Sequence, residues 1–174
     1  ISFDCYGTLI DFQIHILTRT LLATAMDAAQ MQPFLSDFSA YRFDEALGNW
    51  QPYADLIKNA LRRTCQRWGL PNQDAVAQQL YAAVPTWGPH ADVPAGLAAL
   101  ATEFPLVILS NAADSQLHHN VARLGAPFHA VYSAEQAQAY KPRLRAFEYM
   151  IDSLGCAPAD LLHVSSSLRY DIMS

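Results

Sequence analysis

The apolar positions in the second half of the chain form short continuous runs separated by helical patterns. The runs "LVILS", "AVYS" and "DLLHVS" predict three strands, and "ISF" at the start predicts a fourth. Between them, "DSQLHHNVARLG" and "PRLRAFEYMIDSLG" have the spacing of helices. Strands that are apolar throughout and alternate with helices are typical of a parallel sheet covered on both faces. We therefore expect an α/β fold with a doubly wound parallel sheet.

The stretch after the first strand has helical periodicity only. It predicts four helices, the second with Ser36 or Asp37 as its N-cap. The segment "PTWGPHADVP", with three prolines and a glycine, then predicts a linker. We expect an inserted α-helical cap domain at 12–85 and an α/β core domain formed by 1–11 and 86–174.

Composition favours a compact globular protein over a disordered or nucleic-acid-binding one. Only 16% of the 174 residues are charged, and 11 basic against 16 acidic residues give a net charge of −5, which offers nucleic acid no basic field. The cysteines, Cys5, Cys65 and Cys156, are far apart and predict buried thiols in a reducing compartment. No apolar run reaches the roughly 18 residues of a membrane span. We expect a cytoplasmic protein without a membrane partner, and further residues at both ends.

Polar side chains stand where three of the predicted strands end. "ISF" runs into Asp4, "LVIL" into Ser110 and Asn111, and "LLHV" into three serines, 165–167. Ligands of doubly wound sheets bind beyond the carboxyl ends of the strands, so these groups should converge there, together with Lys141 of the loop "AYKPR". Taken singly, a serine or asparagine at a strand end more often caps the next helix.

The segments "DCYGTL", "LSNAADSQL", "YKPRLRAFEYMIDSLG" and "VSSSLRYD" resemble, in order and spacing, the four motifs of the haloacid dehalogenase superfamily. The resemblance covers about 1–11 and 90–174, and is strongest to the type II (L-)2-haloacid dehalogenases. It implies a Rossmann-like core with a helical cap. It also implies a hydrolase that acts on carbon–halide bonds.

Tyr6 favours dehalogenation within that superfamily. The phosphatases of the superfamily have an aspartate two residues after the nucleophile, which protonates the leaving alkoxide. A phenol with a pKa near 10 is a poor acid at neutral pH, whereas a halide leaves without a proton. The ring of Tyr6 would instead supply an apolar wall around the carbon–halogen bond.

The serine-rich motif predicts chemistry without a metal or another cofactor. The phosphatases hold Mg²⁺ with the nucleophile and an acidic residue, which falls here at Ser165 or Ser166. Mg²⁺ prefers charged oxygen ligands, and hydroxyl groups would weaken such a site. The six histidines also show no metal-ligand spacing.

The resemblance assigns roles to individual residues. Asp4 would attack the carbon that bears the halogen and form an enzyme ester, and Asp171 would activate water against that ester. Lys141 would keep Asp4 ionised. Thr8, Ser110 and Asn111 would hydrogen-bond the substrate or Asp4, and Ser166 would be a further catalytic residue. As an alternative, Asp171 could be a charge at a helix N-terminus or a salt-bridge partner.

Arg42 falls where the family's substrate-binding arginine would lie, and its guanidinium suits the carboxylate of a 2-haloacid. It could instead be a solvated helix residue paired with Asp44 or Asp55. Two features depart from the dehalogenase pattern: Phe147 stands where the family has a tyrosine, and "SSSLRYD" is one residue longer than the usual dehalogenase form. The substrate would be a small molecule, and a homodimer is possible.

Two other functions remain open at this stage. One is a Mg²⁺-dependent phosphohydrolase of the same superfamily, against which Tyr6 and Ser166 argue. The other is a catalytically silent relative that binds a small carboxylate, for which Phe147 is the support.

Overall fold

The computed structural model describes residues 1–173 of the chain, in two compact units. One unit combines Ile1–Phe12 with the chain from Pro85 onward, and the other is Gln13–Val84. The first holds every strand of the sheet and the second is helical. The predicted α/β fold, a parallel sheet with flanking helices and additional helical content, is confirmed.

The sheet has four parallel strands in the order β3-β2-β1-β4. They are β1 (Ser2–Phe3), β2 (Val107–Ser110), β3 (Ala130–Ser133) and β4 (His163–Val164). In register, Phe3 lies opposite Ile108 on one side and Val164 on the other. Because parallel strands end at the same edge, the residues that follow β1, β2 and β4 meet there.

Eight α-helices accompany the strands in the described part of the chain. The helical unit contains α1 (Ile14–Leu21), α2 (Ala28–Leu47), α3 (Tyr53–Arg67) and α4 (Asp74–Ala83); the sheet unit contains α5 (Val93–Leu100), α6 (Asp114–Val121), α7 (Ala134–Ala137) and α8 (Leu144–Leu154). A π-helical turn, Leu168–Ile172, follows β4. Within residues 1–173, no helix has the length and apolar character that crossing a membrane requires.

The predicted start of the second helix was wrong. Helix α2 begins at Ala28 with Asp27 as N-cap, and Ser36 lies inside it, donating a hydrogen bond to the main-chain oxygen of Gln32. Pro33 lies within the helix and, read locally, marks a break. Burial overrides that signal, because Met31, Phe34, Leu35 and Phe38 form one continuous buried face at helical spacing.

The sheet packs on α8 through a small apolar cluster. Val107 and Leu109 of β2 are buried against Met150 of α8, and Phe147 packs at the edge of this cluster. Val107 and Leu109 point to the same face of the strand because side chains alternate. This face fixes β2, and hence the position of Ser110 at its end.

We expect Leu109→Ala to lower the free energy of unfolding by about 2–5 kcal/mol, because the substitution leaves a cavity at a side chain with 0% exposure. Leu144→Ala is the matched control: Leu144 is 62% exposed on α8, and its truncation should change stability by less than about 0.5 kcal/mol. Urea unfolding of both variants tests this. Equal effects would mean that the cluster does not hold β2.

Candidate active site

A tight turn after β1 shapes the surroundings of Asp4. The main-chain oxygen of Cys5 accepts hydrogen bonds from the amides of Thr8, Leu9 and Ile10. Gly7 has a φ of +89°, which residues with a side chain rarely adopt. The turn brings Thr8 back to the strand end, where its hydroxyl donates to Oδ2 of Asp4 at 2.8 Å.

The ammonium of Lys141 lies between two carboxylates. Its Nζ is 2.9 Å from Oδ1 of Asp4 and 2.5 Å from Oδ1 of Asp171, and it donates a third hydrogen bond to the main-chain oxygen of Leu109 at 2.8 Å. The side chains of Lys141, Asp4 and Asp171 are 1%, 9% and 0% exposed. An ammonium has three N–H donors, and here all three are used.

Asn111 holds the main chain of Lys141 in place. Its Oδ1 accepts from the amide of Lys141 at 2.7 Å, and its Nδ2 donates to the Lys141 carbonyl at 3.0 Å. Both ends of the amide therefore bond the loop that carries the lysine. The role toward substrate that the sequence suggested for Asn111 stays a prediction.

Ser110, the last residue of β2, has a buried hydroxyl. The residue is 1% exposed, and within the described chain its Oγ has no hydrogen-bond partner. A buried hydroxyl without a partner is unfavourable by a few kcal/mol at most, and such groups are uncommon. The role toward substrate that the sequence suggested for Ser110 stays a prediction.

Asp171 accepts hydrogen bonds on both carboxylate oxygens. Oδ1 bonds Lys141 and Nε2 of His163, the latter at 2.9 Å, and Oδ2 accepts from Oγ of Ser165 at 2.9 Å. Burial by itself raises the pKa of Asp171, but the hydrogen bond from His163, the charge and hydrogen bond of Lys141 and the hydrogen bond from Ser165 outweigh it. The pKa is therefore held below its ordinary value.

Ser166 connects the last motif to the turn after β1. Its amide donates to Oγ1 of Thr8 at 3.0 Å, and its hydroxyl donates to the carbonyl of Gly7 at 2.8 Å. Ser166 thus contacts the residue that bonds Asp4. The structure brings Asp4, Thr8, Lys141, Ser166 and Asp171 together in one network.

Tyr6 directs its hydroxyl toward α6 rather than toward Asp4. The hydroxyl donates to Oδ1 of Asn120 on α6 at 2.9 Å, and the ring stacks on Phe12 with centroids 5.4 Å apart. Burial and the neighbouring Asp4 raise the pKa of the Cys5 thiol, so the thiol stays protonated at neutral pH.

Arg42 lies on α2, in the helical unit. Its Nη2 lies 3.3 Å from Oγ of Ser39 and 3.3 Å from Nε2 of His15. Burial, followed by the charges of Arg42 and Arg19, lowers the pKa of His15 to about 4, so the ring is neutral near pH 7. Asp44, one of the alternative partners considered for Arg42, pairs with Arg63 at 2.6 Å.

Two members of this network were not identified from the sequence as functional residues. His163 lies in β4, where a polar residue in an otherwise apolar run was the available signal. Ser165 was expected among the converging strand ends and as a position where a metal ligand is missing, but its hydrogen bond to Asp171 was not predicted. Among the described residues, no group of three or more His, Cys, Asp or Glu side chains is arranged to hold a metal ion.

A family model described as haloacid dehalogenase-like hydrolase matches residues 1–174. The chain belongs to this family. It is 27% identical over 171 residues to the (S)-2-haloacid dehalogenase H-109 of Pseudomonas putida, covering 96% of this chain and 76% of that protein. It is 29% identical over 172 residues to the (S)-2-haloacid dehalogenase of Xanthobacter autotrophicus, covering 96% and 67%.

The fold agrees with a solved member of the family. The structure of the L-2-haloacid dehalogenase from Xanthobacter autotrophicus with chloropropionic acid covalently bound superposes with a TM-score of 0.75 at 24% identity. The superposition covers 95% of this chain and 68% of that one. The likeness establishes the fold, and the resemblance to the superfamily stated from the motifs is confirmed.

We expect the stabilising effect of Asp171 to depend on pH in one direction. The pKa of Asp171 in the folded protein is below its ordinary value of 3.8. The ionised carboxylate therefore contributes its full stabilisation above pH 3.8, and this stabilisation is lost as the pH falls through the folded-state pKa. The difference in stability between the native protein and Asp171→Asn should therefore be largest near pH 7 and shrink as the pH approaches 3. Urea unfolding across this range measures it.

The exposed Asp152, on α8, provides the control for removing a carboxylate in general. Asp152→Asn should change stability by less than about 0.5 kcal/mol. A difference for Asp171→Asn that grows as the pH falls would contradict the network described for Asp171.

Proposed function

We propose that the protein is a hydrolytic dehalogenase of short 2-haloalkanoic acids, yielding the 2-hydroxy acid and halide. The observation that carries this proposal is the Asp4 carboxylate, held at the end of β1 between the ammonium of Lys141 and the hydroxyl of Thr8. The family membership and the activities by which the two curated relatives are named support it.

In the first step, an oxygen of Asp4 forms a bond to C2 of the substrate, and the carbon–halogen bond breaks with its electron pair going to the halide. Lys141 and Thr8 hold the two oxygens of Asp4, which restricts the carboxylate to one orientation. Fixing the nucleophile in attack geometry is worth several kcal/mol of the barrier. Ser110, whose hydroxyl is buried, would hydrogen-bond the substrate.

In the second step, water adds to the carbonyl carbon of the Asp4 ester, and the bond between that carbon and the ester oxygen then breaks. The 2-hydroxy acid leaves with the proton that the water gave up, and the Asp4 carboxylate is restored. Asp171 would take the proton, at Oδ2, the oxygen opposite the one that Lys141 and His163 bond. Its depressed pKa makes it a weak base, so proton uptake must be coupled to loss of a hydrogen bond there. Oδ1 bonds the ammonium of Lys141, whereas Oδ2 accepts from the neutral hydroxyl of Ser165, so Oδ2 is the oxygen that would take the proton more readily.

The residues around Asp4 do not fit a Mg²⁺ site. The space between the carboxylates of Asp4 and Asp171 is taken by the ammonium of Lys141, and the further oxygens come from the hydroxyls of Ser165 and Ser166. Mg²⁺ prefers several charged oxygen ligands in an octahedral shell. We expect activity that does not depend on a divalent cation.

Arg42 would bind the carboxylate of the substrate through paired hydrogen bonds. The neutral His15 and the hydroxyl of Ser39 orient its guanidinium within the helical unit. Three expectations from the sequence stay predictions. They are the division into a cap domain at 12–85 and a core domain at 1–11 and 86–174, the homodimer, and the cytoplasmic location.

The test of the proposal is halide release from (S)- and (R)-2-chloropropionate, with and without EDTA. We expect release from the (S) acid that EDTA does not change, and at least a thousandfold loss in Asp4→Asn, because an amide does not form the ester. Thermal unfolding of the variant controls for folding. Near-native release by Asp4→Asn would remove Asp4 from its role.

The same preparation separates the other two functions. Hydrolysis of an aryl phosphate that requires Mg²⁺, without halide release, would assign the protein to the phosphohydrolases. Binding of a 2-hydroxy acid with no turnover of either substrate would instead identify a catalytically silent carboxylate-binding protein.

We expect Arg42→Lys to lower kcat/KM about 10- to 100-fold, because an ammonium cannot replace two parallel hydrogen bonds to a carboxylate and each charge-assisted bond is worth about 1.5–3 kcal/mol. Arg62→Lys on α3 is the matched control, since Arg62 is half-exposed and pairs with Asp74. Steady-state kinetics and circular dichroism check both variants. Kinetics of Arg42→Lys within twofold of native would make Arg42 an ordinary helix residue.

A further inference from the structure

His163 lies on β4, at the edge of the sheet, and its ring is hydrogen-bonded to Asp171. Its Nε2 lies 2.9 Å from Oδ1 of Asp171, and its Nδ1 lies 2.9 Å from the hydroxyl of Ser2 on β1. The imidazole is 17% exposed, and the side chain of Asp171 is 0% exposed. Ser2, His163, Asp171, Lys141 and Asp4 therefore form one chain of hydrogen bonds that begins on β1 and ends at the residue following Phe3, the last residue of β1.

The direction of the hydrogen bond follows from its acceptor. An ionised carboxylate only accepts, so Nε2 of His163 carries the hydrogen that points at Asp171. In the neutral ring, Nδ1 then accepts from the hydroxyl of Ser2. The charged and titratable groups facing the ring are Asp171 and, through it, Lys141.

Phe147 supplies the third contact of the ring. The rings of Phe147 and His163 meet edge to face, with centroids 5.5 Å apart and planes at 86°. This phenylalanine stands where the dehalogenase motif has a tyrosine, so the hydroxyl of that position is lost. Phe147 contacts the ring of His163 through its own apolar ring, and His163 itself supplies a hydrogen bond to Asp171.

We propose that His163 is a positioning residue for hydrolysis of the ester intermediate. The inference rests on the proposed function. By holding Oδ1 of Asp171, the N–H of His163 turns Oδ2 toward Ser165 and leaves that oxygen as the one that takes the proton of the attacking water. His163 does not contact Asp4, so it acts on the second step rather than on formation of the ester.

The test replaces His163 with glutamine or asparagine, two amides of similar polarity. One amide nitrogen or oxygen takes the position of Nε2 and the other takes the position of Nδ1. In His163→Gln the side-chain amide reaches the position of Nε2 and keeps a donor for Asp171. In His163→Asn the shorter amide reaches only the position of Nδ1, so it keeps the contact with Ser2 and loses the one with Asp171. Comparing the two isolates the hydrogen bond to Asp171.

We expect His163→Asn to lower kcat for halide release about 10- to 100-fold, and His163→Gln to retain most of the native kcat. Because ester formation is untouched, His163→Asn mixed with excess (S)-2-chloropropionate should release one halide per protein in a fast burst. The ester should then accumulate on Asp4 and be detectable by mass spectrometry of the intact protein. A purely structural role would slow both steps and give no burst.

Native-like kinetics of His163→Asn, a slow phase without a burst, or equal loss in the two variants would each overturn the assignment. His129→Gln, at an exposed histidine of the same unit, is the control for replacing an imidazole and should behave as native protein. If the native protein releases no halide, the proposed dehalogenase function fails. If the native protein releases halide but the His163 variants give one of the outcomes above, only the role proposed for His163 fails.

Discussion

The buried ammonium of Lys141 is the interaction on which the site depends. Removing a charge from water is unfavourable by several kcal/mol unless its donors are all satisfied and an opposite charge is near. Lys141 meets both conditions with Asp4, Asp171 and the carbonyl of Leu109. These acceptors come from the ends of β1 and β2 and from the turn after β4, so the spacing of the sheet sets the spacing of the network.

Other hydrogen bonds of the site hold Lys141 and its partners in position. Asn111 fixes the main chain of Lys141 from the end of β2, while the turn at Gly7 returns Thr8 to Asp4. Ser166 bonds both parts of that turn. A shift of any strand by one residue would reverse the direction of its side chains and break the network, so the apolar packing of the sheet also determines the chemistry.

The sequence predicted the strands and the convergence of their ends because both depend on local pattern and a general rule for parallel sheets. Asp4 and Lys141 could be found this way, whereas Asp171 was identified from the resemblance of "VSSSLRYD" to the last motif of the superfamily. The start of α2 could not, because burial of Phe34 and its neighbours overrides the local signal of Pro33. His163 was missed for a related reason: its partners, Ser2 and Asp171, come from distant parts of the chain, and a histidine in an apolar run does not reveal them.

The same saturation of Lys141 restricts the reaction. With three acceptors already bonded, the ammonium has no N–H left for a substrate carboxylate, so that anion requires another cation, the role proposed for Arg42. The phenol of Tyr6 donates to Asn120, so it is not directed at a leaving group. The groups that the described residues place against Asp4 are thus an ammonium and a hydroxyl, both engaged in holding it. In the attack by Asp4, a leaving alkoxide would need a proton or a metal ion, whereas a halide needs neither, and this is why the arrangement suits cleavage of a carbon–halogen bond. The alkoxide released from the ester in the second step would take the proton held by Asp171.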